Sequence, residues 1–169
     1  MSKKIAVTAL FTAFAVILSY IETFIPVIGI PGVKLGLANF SITLALYLLG
    51  NREALIINIV RILLVGFMFG NMFAIVYSLA GAGFSYIIMI GAKKIKLSMV
   101  TVAILGGVFH NLGQIIVAGM VVETYSVFAY VPVLIFSGII TGMLIGILAL
   151  FVYNRVHKYI FKEIGSDIK

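Results

Sequence analysis

Asn58, Arg61, His110, Asn111 and Gln114 are polar residues set inside long apolar runs, Asn58 and Arg61 within 54–70 and the other three within 97–122. A polar or ionisable side chain at membrane depth is expensive, so it marks a functional site by default. Arginine keeps its proton even when buried, and placing it at the bilayer centre costs roughly 2.5–3.5 kcal/mol on insertion scales. No carboxylate is expected at its depth, because Glu22 and Glu123 fall near one edge of the apolar runs and Glu53 near the other. Amides, carbonyls, water or an anionic ligand must then satisfy Arg61. Asn58 precedes it by three positions and shares its helical face. His110 and Gln114 are four apart and share another. This chemistry fits capture of a small molecule bearing a carboxylate or phosphate. The structural alternative is a polar network tying the third run to the fifth.

Catalytic chemistry has little to build on. A lone mid-run histidine with no acidic orienter is not a triad, and His110 and His157 lie too far apart in sequence to suggest a metal site. No G-x-x-x-x-G-K-[ST] loop is present, so no ATP site of that kind is expected. Magnesium-diphosphate chemistry needs clustered carboxylates, and the clustered pair here, Glu163 and Asp167, is in the tail. We expect no catalytic residue, no metal and no cofactor. The absence of cysteine removes disulfides and thiolate chemistry.

The elements that must hold these residues follow from composition. Of 169 residues, 63% are hydrophobic and 10% charged, against roughly a quarter charged in a soluble domain. The runs are continuously apolar rather than alternating, which favours helices over a β-barrel. The expected class is an all-α polytopic membrane protein, one domain over 1–169, with six transmembrane helices near 5–21, 35–49, 54–70, 72–92, 97–122 and 131–153. The N-terminal run is long enough to span and lacks a small-residue cleavage site, so it is expected to be retained. The second run is short for a span. Ser78, Gly81 and Ser85 form one stripe suited to close helix contact. Residues 154–169 look like an interfacial extension of the last helix.

With the N-terminus in the cytoplasm, Lys3, Lys4, Arg52, Lys93, Lys94, Lys96, Arg155, Lys158, Lys162 and Lys169 fall inside and only Lys34 outside. This is a strong positive-inside pattern with both termini cytoplasmic. The net charge of +7 is thereby a topology signal, and no nucleic-acid partner is expected. Between the first two runs, Glu22 to Lys34 is broken by Pro26 and Pro31 yet carries Phe24, Ile25, Val27, Ile28 and Ile30. It reads as a lid, or else as a loop dipping into the membrane interface. Ala6, Ala9 and Ala13 form a smooth stripe on the first helix, suited either to internal packing or to a partner helix. The expected binding set is Lys34, Asn39, Asn58, Arg61, His110, Asn111 and Gln114.

The segments Pro31-Gly-Val-Lys-Leu-Gly-Leu-Ala-Asn39, Glu53-Ala-Leu followed by Arg61, and Gly107-Val-Phe-His-Asn-Leu-Gly-Gln-Ile-Ile-Val-Ala118 resemble a bacterial membrane family. It goes by two names, Gx transporter family and heptaprenyl diphosphate synthase component I. The resemblance covers nearly the whole chain, and the family looks like the substrate-binding S components of energy-coupling-factor (ECF) transporters. It implies a six-helix bundle in the bacterial plasma membrane that captures a micronutrient from outside. The partners implied are a membrane coupling protein and two ATPases. Ala6, Ala9 and Ala13 would be the docking surface, Glu22–Lys34 the gate, and Arg61 with His110–Gln114 the pocket floor. The second name implies instead a partnership with a soluble prenyltransferase in menaquinone side-chain synthesis. The chain has no aspartate-rich motif of the kind such enzymes use, so any such role would be non-catalytic.

Overall fold

The computed structural model describes residues 2–24, 36–123 and 125–164. These form six α-helices and one 3₁₀ segment: α1 (Ser2–Thr23), α2 (Leu37–Leu48), α3 (Asn51–Phe69), α4 (Met72–Lys94), α5 (Met99–Val122), the 3₁₀ segment Tyr125–Tyr130, and α6 (Val131–Ile164). The expected lid falls outside the described residues except for Glu22, Thr23 and Phe24, and Lys34 lies outside them too.

Four helices, α1, α4, α5 and α6, are long and apolar enough to cross a membrane. The other two differ for separate reasons. α3 has the length, with 19 residues, but carries Arg52, Glu53 and Arg61. α2 has only 12 residues, or about 18 Å at ~1.5 Å per residue, against a hydrocarbon core of ~30 Å. Apart from Asn39, Ser41 and Thr43 it is apolar, and it is correspondingly buried, with Ala45 and Leu46 fully enclosed and Leu48 nearly so. α2 therefore acts as a central peg. The outer helices turn side chains such as Leu10, Phe67, Ile87, Met120 and Phe136 outward, each more than 60% exposed. So much apolar surface suits lipid rather than water.

The helices are delimited by local chemistry. Asn71 Oδ1 accepts the Ala74 N–H at 2.8 Å to start α4, and Ser98 Oγ accepts the Thr101 N–H at 3.1 Å to start α5. Gly50, at φ 109°, makes the turn between α2 and α3. Within α1, the hydroxyls of Thr8, Thr12 and Ser19 donate to the carbonyls four residues back, which satisfies them without water.

Glycines set the closest helix contacts. Gly138, Gly142 and Gly146 repeat every four residues along α6 and lie against the α5 backbone at Val108, Ile104 and Val100; a Cβ on Gly142 would come within 2.6 Å of Ile104 Cα. Gly81 and Gly113 bring α4 onto α5 in the same way, a Cβ on Gly81 meeting His110 O at 2.7 Å. The Ser78-Gly81-Ser85 stripe thus faces α5, with Gly81 and Ser85 buried. Such close approach gives van der Waals contact where lipid removes the hydrophobic drive for association.

One end of the bundle collects charge. Lys4 Nζ is 2.8 Å from Glu53 Oε1, and Lys93 Nζ donates to Leu46 O and, at 3.4 Å, to Asn51 Oδ1. The start of α1, the α2–α3 turn and the end of α4 therefore meet there. Burial alone would raise the Glu53 carboxyl. The Lys4 hydrogen bond, a backbone hydrogen bond and the nearby Lys4 and Arg52 charges outweigh it and hold the group below its ordinary value of 4.5.

Candidate functional site

At the opposite end, the last turns of α1 and α3, the first turns of α2 and α4, and the middle of α5 surround a cavity of about 230 Å³. Its walls include Ser19, Glu22, Asn39, Arg61, His110 and Gln114 on the polar side, and Ile62, Val65 and Phe69 on the apolar side.

Arg61 is placed by its own helix. Asn58, one turn earlier, is 4% exposed and fixes the guanidinium in a fork: Arg61 Nε and Nη2 both donate to Asn58 Oδ1, at 3.1 and 2.8 Å. Arg61 Nη1 donates to Ser19 Oγ at 3.4 Å. The guanidinium has five N–H donors, so two have no partner among the described residues. Among the described residues, the hydrogen bonds of Arg61 tie α3 to α1.

Glu22, the expected edge carboxylate, belongs to the wall of this cavity. It acts electrostatically on the guanidinium. α1 runs on to Thr23, so Glu22 lies one turn beyond Ser19 on the same face. Its Oε1 accepts the N–H groups of Gly36, at 2.5 Å, and Leu37, at 3.3 Å. Those are orphan donors at the start of α2. The first turn of α2 thus holds the carboxylate.

The other expected residues separate into groups. Asn39, His110 and Gln114 line the cavity with Arg61. Gln114 is 3% exposed, and its amide makes no hydrogen bond to a described residue, which is costly unless something else satisfies it. Asn58 stands behind Arg61 as its support. Asn111 does not belong to the wall: its Nδ2 donates to Leu134 O at 2.8 Å and fastens α5 to α6. That is the consequence of its offset by one position from His110. Ser19, Glu22, Thr23 and Ser78 line the cavity although they are not in the expected binding set. The i, i+3 spacing of Ser19 and Glu22 is a signal that a longer first helix would have made readable.

Ala6, Ala9 and Ala13 are all exposed, while Val7, Phe11, Ala15 and Leu18 face the core. The alanine stripe is therefore not internal packing. Ala9 and Ala13 help line an outer groove of about 860 Å³ against Ile56, Val60 and Leu64 of α3.

A family model described as "Heptaprenyl diphosphate synthase component I" matches residues 11–152, a span that includes every described wall residue of the cavity. None of the curated proteins and none of the solved structures matches the chain.

Proposed function

The chain belongs to the heptaprenyl diphosphate synthase component I family, and we propose that it works as the substrate-binding membrane component of an energy-coupling-factor type transporter. Its cargo is a small solute with at least one anionic group. The observation that carries this reading is the cavity itself, in which the buried Arg61 offers two N–H groups and the buried Gln114 offers an amide toward space that a ligand can fill. A polar layer serving only as structure would satisfy its own members.

In this reading all six helices lie in the membrane, α2 enclosed by the others and α3 turning Phe67 and Met68 toward lipid, and the lysine-rich end faces the cytoplasm of a bacterial cell with both termini. The cavity then opens toward the outside. The protein carries out no catalysis. Energy comes from two ATPases through a membrane coupling protein, and the exposed face of Ala6, Ala9 and Ala13 is where that protein docks.

The family description favours a second reading, a non-catalytic membrane subunit that partners a soluble prenyltransferase in making a heptaprenyl chain. Native mass spectrometry of the gently solubilised protein from its own membranes separates the two. A bound small molecule travelling with a coupling protein and ATPases supports transport. A stoichiometric prenyltransferase, with no small molecule and no ATPase, supports the second reading and reduces the polar layer to structure.

A further inference from the structure

We propose that the solute of this cavity is a small, net-neutral zwitterion. The inference rests on the reading of the cavity as a solute site and narrows it. Among the described wall residues, the formally charged side chains at neutral pH are Arg61 and Glu22, one positive and one negative, with His110 as the third titratable group.

The two charges are kept apart. Arg61 is held by the neutral partners Asn58 and Ser19. Glu22 is held through one oxygen by the Gly36 and Leu37 N–H groups. Where this protein neutralises a charge directly, it forms a contact pair, as Lys4 and Glu53 do at 2.8 Å. Across the cavity each charge instead keeps capacity in hand: two guanidinium N–H groups on Arg61, and Glu22 Oε2, which accepts no hydrogen bond from a described residue.

A lone anion would gain Arg61 and meet repulsion from Glu22 in a site of low dielectric. A lone cation faces the reverse. A diphosphate would bring several negative charges to the single cation among the described wall residues. A zwitterion places its carboxylate on Arg61 and its ammonium on Glu22 and so pairs both charges of the described wall. Gln114 then supplies neutral hydrogen bonds, and Ile62, Val65 and Phe69 receive an aliphatic portion. At about 230 Å³ the space lies below the ~300–1,000 Å³ of sites for drug-sized ligands, which suits a molecule of amino-acid size.

The test uses the full chain in detergent micelles, read by native mass spectrometry and by thermal shift. The probes are three pools with matched carbon skeletons: free α-amino acids as zwitterions, their N-acetyl derivatives as monoanions, and their methyl esters as monocations. Inorganic diphosphate is a fourth probe. We expect binding from the zwitterion pool alone. Glu22→Gln, which keeps an acceptor oxygen for Gly36 and Leu37, should weaken zwitterion binding about tenfold or more and remove the discrimination against the N-acetyl pool.

Equal or tighter binding of monoanions or diphosphate overturns the proposal. So does unchanged zwitterion affinity in a folded Glu22→Gln protein, or no binding from any pool. The molecule carried from native membranes then locates the failure. If it is not a zwitterion but is lost in Arg61→Ala, the cavity remains a solute site and only its chemistry was misread. If nothing is carried and nothing binds, the solute-site reading fails as well.

Discussion

Glu22 and Arg61 line the same cavity, yet neither is the other's hydrogen-bond partner: Glu22 Oε1 takes the N–H groups of Gly36 and Leu37, while Arg61 grips Asn58 Oδ1 and Ser19 Oγ. Two opposite charges, a buried Arg61 and a half-buried Glu22, thus share one cavity, and each is oriented by neutral groups. Each is preorganised, so a ligand need not break an ion pair to reach it.

Arg61→Ala should weaken ligand capture while the bundle still folds. The substitution removes a buried cation whose described partners are neutral, so it strands no opposite charge in direct contact. Loss of charge-assisted hydrogen bonds corresponds to a fall in affinity of roughly tenfold to a hundredfold. Isothermal titration with the molecule that copurifies with the wild type checks it. Unchanged affinity would show that no ligand sits at the depth of Arg61.

Adding one methyl group should have opposite effects at two glycines. Gly142→Ala pushes a Cβ within 2.6 Å of Ile104 Cα, so α5 and α6 must separate, at a cost of about 1–3 kcal/mol. Gly91→Ala on α4 meets no atom within 4 Å and gains helix propensity of up to ~1 kcal/mol. Thermal unfolding in detergent should therefore show Gly142→Ala melting below the wild type and Gly91→Ala at or above it. Equal melting temperatures would mean that the α5–α6 contact is looser than described.

The Lys4–Glu53 contact should be sensitive to acid. The folded-state carboxyl lies below its ordinary value of 4.5, so its contribution is present above pH ~4.5 and is lost as pH falls through the lower folded-state value. Both groups reach solvent, so the effect is small. Hydrogen exchange at the start of α1 should rise as the pH is lowered toward 3, after correction for intrinsic exchange, and Glu53→Gln should show high exchange already at neutral pH. The same exchange in Glu53→Gln and wild type at neutral pH would count against the pairing.

Ala13→Leu tests the outer stripe without touching the cavity. Ala13 is exposed on α1, so a larger side chain disturbs no described core contact, but it fills the small-residue surface that a close-packed helix partner needs. The expected outcome is normal ligand binding with several-fold less coupling protein retained on affinity purification. Full retention of that partner would place its docking elsewhere.

Much of this protein was readable from its sequence, for a physical reason. In a membrane every backbone polar group must be satisfied within its own segment, so long apolar runs dictate helices almost residue by residue. The expected runs at 72–92 and 97–122 differ only by small end shifts from α4 and α5. The high cost of burying polar groups likewise singled out Arg61, Asn58, His110 and Gln114 before any coordinates existed.

Packing decided the rest. Helical spacing puts Asn111 next to His110 but not which neighbour it meets, and the structure turns it to Leu134 O. The four-residue glycine repeat of α6 is visible as a pattern, whereas its partner, the α5 backbone, is not. Glu22 stands at the edge of the first run, and an amino-acid sequence does not show which neighbour it meets there. The start of α2, through the N–H groups of Gly36 and Leu37, holds that carboxylate in the wall that also contains Arg61.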